Sequence, residues 1–313
     1  MAKRANASSK RKFRIVQIAV LVCVAILALL VTYFPKLGLP SWSDFFRLSG
    51  TNQTVNAGEY PFSAHFIDVG QADSALILCG NEAVLIDAGD VDSYAAIDAY
   101  LKAQNVKQLK YFILTHAHAD HIGSADDVLK NYAVENVIMP KYSEENMPTS
   151  KVYEDLLYAL SDSGAKVYAA KAGLSYNLSG CSFSVYAPNK DYKELNDSSV
   201  VVRFTYGETN FLFQGDAEKA SENDVLAAGF DVRADVLKMG HHGSKTSSTE
   251  KYLRAVSPKL AVISCGENNS YKLPSDSVLQ RLTALGIEYR RTDRNGTIVV
   301  MSNGKEITMQ TEK

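Results

Sequence analysis

Residues 111–121 put an unbroken apolar run, Tyr111-Phe112-Ile113-Leu114-Thr115, directly before His116-Ala117-His118-Ala119-Asp120-His121. A short continuous apolar segment reads as a buried strand. The histidine cluster after it is unusual in a chain that has only six histidines in 313 residues. Side chains at a strand end and in the adjoining turn can converge on one point without fraying the core. The chain must therefore fold as a strand-built scaffold that presents this cluster at a strand's C-terminal edge. His116 and His118 can share one metal ion, while Asp120 and His121 point to a neighbouring one. Imidazole nitrogens combined with a carboxylate suit Zn2+ or Mn2+.

Two further stretches look like the missing ligands. Phe213-Gln214-Gly215-Asp216 ends an apolar strand with a carboxylate that could bridge two metals, although Gly-Asp is also a common turn. Met239-Gly240-His241-His242-Gly243-Ser244-Lys245 places adjacent histidines between glycines after another strand. Adjacent side chains point apart in an extended backbone, so only one of the pair is expected to be a ligand. The reading favours His241 as ligand and His242 as the proton-transfer or substrate-contacting group. The sixth histidine, His65, lies on an alternating strand and reads as structural. Asp120 is expected to hold or accept a proton of the attacking water.

The rest of the body alternates strands and amphipathic helices. Strands are expected at 63–69, 74–80, 83–89, 111–115, 137–140 and 166–170. In the second half they are expected at 181–187, 199–206, 211–215, 235–240, 259–265, 287–292 and 297–302. Helices are expected at 92–105, 122–132, 151–163, 217–228, 249–256 and 275–285. Strands open each half and helices follow, which predicts a layered α/β sandwich with two sheets. No repeat at 20–50 residues is apparent, so solenoids and propellers are excluded.

The N-terminus has a different character. Residues 15–34 contain no charge, and twenty helical residues just cross a hydrocarbon core of roughly 30 Å. Lys3, Arg4, Lys10, Arg11, Lys12 and Arg14 precede this run, so residues 1–14 read as a cytoplasmic tail and the body as extracytoplasmic. A cleaved signal peptide is the alternative, but its apolar run is usually shorter and ends in small residues. Residues 35–60 read as a linker, with Trp42, Phe45 and Phe46 able to touch either the membrane or the domain, and the domain itself spans 61–313. Taking those six basic groups from the chain's 33 leaves 27 against 35 acidic residues, a body of net charge −8. Such a body has no pervasive basic face for nucleic acid, so a polyanionic substrate must be held locally or by metal. Composition, with 46% hydrophobic and 22% charged residues, excludes a disordered chain. Cys23 falls inside the apolar run, which leaves Cys79, Cys181 and Cys265 outside and allows at most one internal disulfide.

The chain resembles the metallo-β-lactamase superfamily, and within it the ComEC-like branch. The resemblance rests on Phe66-Ile67-Asp68-Val69-Gly70-Gln71, Asp73-Ser74, Ile86-Asp87-Ala88-Gly89 and the histidine cluster. Asn196-Asp197 with Ser199, Gly215-Asp216, His241-His242-Gly243-Ser244, Asn269, Tyr271, Pro274 and the segment 291–298 also match. It implies an αββα sandwich with two divalent ions along one edge. His116 and His118 would serve metal one, Asp120, His121 and a histidine of the His-His-Gly motif would serve metal two, and Asp216 would bridge. Asp87 would orient the ligand loop, with Asp68 and Asp73 as nearby supports. Asn196-Asp197 stand where the superfamily has a third histidine of metal one, which makes Asp197 a candidate ligand and favours Mn2+. Where the branch has Gly-His before Pro274, this chain has Lys272-Leu273.

Three functions fit. The first is a membrane-tethered phosphodiesterase on nucleic acid, with a separate DNA-uptake channel as a conceivable partner. The second is a phosphoesterase on another envelope or small phosphodiester, and the third is a non-catalytic binding domain. A β-lactamase proper fits less well, because the His-His-Gly and Asn-Asp elements match the other branch. In the first two, Ser244 and Lys245 could bind a phosphate, with Asn269 and Tyr271 as further substrate contacts.

Overall fold

The computed structural model describes residues 60–313. The expected tail, membrane span and nearly all of the linker lie outside the described residues. Among the described residues, no helix is long and apolar enough to cross a membrane.

Two mixed sheets are built from the described residues. The first runs in the order β15 (Ile307–Thr311), β14 (Ile298–Ser302), β1 (Phe62–Phe66), β2 (Ala75–Cys79), β3 (Glu82–Ile86), β4 (Gln108–Ile113), β5 (Ala133–Met139), β6 (Lys166–Ala169). The second runs β13 (Glu288–Arg291), β12 (Leu260–Ile263), β11 (Val236–Lys238), β10 (Thr209–Phe213), β9 (Val201–Tyr206), β8 (Ser182–Ala187), β7 (Ser175–Asn177). Each half changes from antiparallel to parallel pairing at one strand, β3 in the first sheet and β10 in the second.

Period-two alternation makes the layers. Phe62, Ala64 and Phe66 of β1 and Val84 and Ile86 of β3 face Phe204, Phe211 and Phe213 of the other sheet in a shared core. The rings pack across the gap, Phe62 tilted against Phe211 at 4.7 Å and Phe66 stacked on Phe213 at 5.5 Å between centroids, contacts worth about 0.5–1.5 kcal/mol each beyond burial. The alternate residues Leu76, Leu85 and Phe112 face outward, under α1 (Tyr94–Ala103), α3 (Ala125–Asn131) and α4 (Lys151–Ser163). Leu212, Leu237 and Ile263 do the same under α5 (Lys219–Ala227), α6 (Glu250–Val256) and α7 (Asp276–Ala284). The expected α/β sandwich is therefore present, with helices on both outer faces.

Three details differ from the sequence reading. The helix expected over 122–132 is two helices, α2 (Ala119–Ile122) and α3, broken at Gly123 and Ser124. Gly123 lies against the backbone of Asp90, where a Cβ would come within 2.2 Å of a carbonyl carbon, so no side chain fits there, and Ser124 then leaves the helical region at φ −109° and ψ 16°. The strand expected to reach residue 292 stops at Arg291, because Thr292 begins a short helix, α8 (Thr292–Asn295). Strands β7 and β15 were not expected. Both are half-exposed edge strands without a continuous apolar signal.

His65 is fully buried on the outward face of β1, with Nδ1 2.8 Å from the Tyr100 hydroxyl and Nε2 2.7 Å from the Ser63 hydroxyl. Burial pushes its pKa down to about 3. The unfolded chain binds a proton at His65 near pH 6.5 and the folded chain does not, so this group's contribution to stability is lost as pH falls from about 6.5 to 3. The slope is at most about 1.4 kcal/mol per pH unit. Urea midpoints between pH 7 and 4 should fall less steeply for His65→Gln than for the parent chain; equal slopes would show that His65 does not titrate on unfolding.

Candidate metal centre

The chemistry-bearing residues gather where the central parallel strands of both sheets end. Asp87 follows β3, Thr115 and His116 follow β4, Asp216 follows β10, and His241 and His242 follow β11. C-terminal ends of strands are where such sheets open a crevice.

Asp87 organises the first loop. It accepts the Thr115 N–H and hydroxyl, both at 2.7 Å, and lies 2.7 Å from His121 Nδ1. With the carboxylate on Nδ1, the Nε2 atom of His121 is aimed into the centre, 3.2 Å from Asp216 Oδ1 and 4.0 Å from Asp120 Oδ2. His242 is fixed in the same way, because the Ser264 carbonyl at 3.0 Å can only accept and so holds the proton on Nδ1. Its Nε2 lies 3.1 Å from Asp120 Oδ2 and 3.7 Å from Asp216 Oδ2. Asp120, His121, Asp216 and His242 thus offer donor atoms within 4.8 Å of one another.

A second flank shares Asp216. His116 Nε2 lies 4.0 Å from Asp216 Oδ2 and 3.0 Å from His118 Nδ1, while the Thr115 and Ser199 hydroxyls occupy its Nδ1 side. Ser199 also accepts the Asp216 N–H at 3.0 Å, which holds the bridging carboxylate in place. His241 closes the rim with Nε2 3.8 Å from Asp216 Oδ2 and Nδ1 3.0 Å from Glu218.

Charge is shared unevenly among these groups. Burial alone would raise Asp216, but His121, His242 and His116 outweigh it and hold the carboxyl well below its usual range. Burial also works against Asp120, and a hydrogen bond to His242 with the charge of His121 overcomes it, lowering its pKa. Burial would lower His121, yet Asp216 and Asp87 lift it well above the ordinary value. His116 and His118 go the other way, lowered chiefly by burial. Neither His121 Nε2 nor Asp216 Oδ1 has a hydrogen-bonding partner although both are buried, and the same is true of Asn196 Oδ1. Nitrogen and carboxylate donors that converge without partners are what a divalent cation requires, so these residues fit the expected pair of ions.

The adjacent histidines do not occupy an extended backbone. Both are left-handed, at φ 48° and 51°, and lie in a 3-10 turn over Gly240–Gly243. The expectation that the pair alternates about a strand is corrected by this geometry. The turn sends His242 into the four-donor group and leaves His241 on the rim, whereas the sequence had favoured His241 as the ligand. Two left-handed non-glycine residues cost of order 1–3 kcal/mol each, so the surroundings must hold them. Gly240 packs against Ser247 and Gln214, where a Cβ would meet Ser247 Oγ at 2.1 Å. Buried Gln214 in turn donates to Glu222 and to Ser247, and Glu222 accepts from Thr249.

Several predicted residues lie elsewhere. Asp197 Oδ1 accepts the N–H groups of Glu218 and Ser221 and so braces the start of α5, while its neighbour Asn196 reaches toward His241 at 3.5 Å. Asp68 accepts from Gly70 and lies 3.6 Å from Lys313, outside both donor groups. Ser244 pairs with Thr246, and the N-terminus of α6 is capped by Thr249. Lys245 is exposed on the rim. Asn269 spends its amide on the carbonyls of Gly266 and Leu273 and so shapes its own loop. Tyr271, at 73% exposure, stands free at the tip of that loop. Lys272 beside it has φ 58°, a backbone conformation that favours the glycine of the family pattern.

Sequence reasoning missed two contributors. Glu218, two residues after Asp216, touches His241, Asn196 and Thr246. Lys238 is only 4% exposed and donates to Asp73 Oδ2 at 2.7 Å and to the Met239 carbonyl at 3.0 Å. Asp73 Oδ1 stands 3.6 Å from His242 Nδ1, and Asp73 Oδ2 is 4.0 Å from His121 Nδ1. The lysine ammonium is thus a built-in cation behind the metal-facing histidines. A lone lysine inside the apolar run of β11 was the available signal.

This electrostatic arrangement has two measurable consequences. Lys238→Met leaves a buried carboxylate unpaired and should cost about 3–5 kcal/mol, with much of it recovered in the Lys238→Met/Asp73→Asn double variant; additive losses in urea unfolding would contradict the pairing. Asp216 and Asp87 favour the protonated form of His121 whereas a bound cation needs the neutral imidazole, so binding should expel a proton and affinity should rise with pH. Calorimetry of Zn2+ or Mn2+ binding in buffers of different ionisation enthalpy should show at least one proton released; none would refute the assignment of that proton.

Comparison with known proteins agrees with this architecture. The family model described as the metallo-beta-lactamase superfamily matches residues 67–267. The ComE operon protein 3 of Bacillus subtilis is 36% identical over 251 residues, covering 74% of this chain and 32% of its own length. The competence protein ComA of Neisseria gonorrhoeae is 30% identical over 286 residues, 89% of this chain and 38% of that protein. Recombination protein 2 of Haemophilus influenzae is 32% identical over 224 residues, 69% and 26%. The chain therefore spans between about a quarter and two-fifths of these curated relatives. Among solved structures, the diiron β-hydroxylase CmlA from Streptomyces venezuelae shares the fold at 12% identity and a TM-score of 0.51, covering 74% of this chain and 53% of that one. The donor groups at the strand ends, the two-sheet sandwich and the family match together make this chain a member of the metallo-β-lactamase superfamily, with competence proteins among its relatives.

Proposed function

We propose that the chain is a binuclear metal-dependent phosphodiesterase whose substrate is nucleic acid. The observation that carries this reading is Asp216, a buried carboxylate with His121 at Oδ1 and with His116, His241 and His242 around Oδ2, so that it stands between both flanks. The metal pair would comprise His116, His118 and Asp216 on one flank and Asp120, His121, His242 and Asp216 on the other. Two divalent ions held there supply a nucleophilic hydroxide near neutral pH and charge stabilisation for in-line displacement at phosphorus. The chain's own groups do the rest. Asp120, at the mouth of the site and held ionised by His242, is placed to orient or accept a proton. His242 keeps Nδ1–H on Ser264 and so presents Nε2 in one orientation. Lys245 and Lys272 supply positive charge for a phosphate at the rim of an otherwise acidic body. Competence-protein relatives favour DNA as the polyanion. Residues 15–34 complete the reading as a membrane anchor that keeps the hydrolase outside the cell, where a separate channel protein could take up the cleaved strand.

The −8 body favours a second reading, a smaller phosphodiester of the envelope, since long nucleic acid gains affinity from many phosphate contacts. The deciding assay incubates the full chain, loaded with Mn2+ or Zn2+, with labelled single- and double-stranded DNA beside Asp120→Asn. The expected result is metal-dependent cleavage lost in the variant. Turnover of a simple phosphodiester with DNA intact would replace the substrate, and no turnover of either would refute the reaction class.

A further inference from the structure

Away from the metal centre, the structure brings two of the cysteines together. Cys79 ends β2 in the first sheet, and Cys181 directly precedes β8 in the second. Both are buried, both belong to the core between the sheets, and the Cys79 thiol lies against the turn that carries Cys181, 3.7 Å from the Ser179 carbonyl oxygen and 4.0 Å from where a Cβ on Gly180 would stand. The turns that carry them are docked independently of the sulfurs. The Ser179 N–H donates to Glu82 Oε2 at 2.6 Å from one turn to the other, and the Leu178 N–H donates to the Cys181 carbonyl at 2.8 Å within its own turn. Cys265 is on the other side of the second sheet, in the cluster under its helices, with its thiol 4.0 Å from the Ile263 carbonyl. The pairing is therefore selective by position.

We infer that Cys79 and Cys181 form a redox pair that closes to a disulfide, stapling one sheet to the other. With glutathione disulfide as oxidant, one cysteine thiolate attacks it and releases one glutathione thiolate. The second cysteine thiolate then displaces the other glutathione. The two cysteines lose two protons and two electrons in total, and one glutathione disulfide becomes two glutathiones. The staple lies at the end of the sandwich opposite the metal centre, because β2 runs antiparallel to β3 and the centre is at the C-terminal end of β3. It closes a loop of about 100 residues, long enough for a large effect on the unfolded chain.

The test uses the purified full chain, incubated with glutathione disulfide in urea below its unfolding midpoint, then denatured and labelled with a maleimide-polyethylene glycol. The chain has four cysteines. Two labels before reduction and four after it, with a proteolytic fragment joining Cys79 to Cys181, are expected. Cys265→Ser should keep that joined fragment, and Cys79→Ser should lose it. The oxidised chain should melt about 5–10 °C higher than the reduced one. Four labels after oxidation, glutathione adducts in place of the joined fragment, or a joined fragment containing Cys265 would overturn the inference.

Discussion

Asp216 carries negative charge into a place that water barely reaches, and imidazoles from both sheets compensate it. It comes from the end of β10, while His116 and His121, which face its two oxygens, follow β4. A buried carboxylate without partners would neutralise itself by taking up a proton. Here the imidazoles keep it ionised, and the interaction that joins the sheets at this edge also defines the point where cations belong. The orienting contacts serve this arrangement. Asp87 turns His121 inward, Ser199 holds the Asp216 backbone, and the Ser264 carbonyl sets the His242 tautomer.

The layer structure was legible because it rests on period. Phe62, Ala64 and Phe66 alternate with Ser63 and His65, and the continuous runs around Phe112 and Leu237 mark the buried parallel strands. The cluster at 116–121 was legible because four donors in six residues have little other use. Edge strands β7 and β15 were not, since an edge needs only one partner and one half-buried face. The need for glycine at 123 was hidden as well, because what crowds it is the backbone of Asp90, more than thirty residues earlier.

What sequence could not assign at the site was orientation. His241 and His242 are chemically alike, and a strand-like reading of the pair fails once the backbone turns left-handed. Asp197 carries a carboxylate like Asp216, but its oxygen meets two N–H groups at the start of a helix. Lys238 illustrates the reverse case. A charge inside an apolar strand looks like an interruption until Asp73, 165 residues away in sequence, is found beside it. These are tertiary facts, fixed by which loops the sandwich brings to one end.

Each donor set takes members from both sheets, His116, Asp120 and His121 after a strand of the first and Asp216 and His242 after strands of the second, so the span of the site is an elastic property of the core between them. Packed phenylalanines set the thickness of that layer, much as a shim sets the gap between two jaws. The interior is close-packed and transmits small displacements. The size of an aromatic ring in the middle of the sandwich thereby becomes a term in the spacing of the donors at its rim.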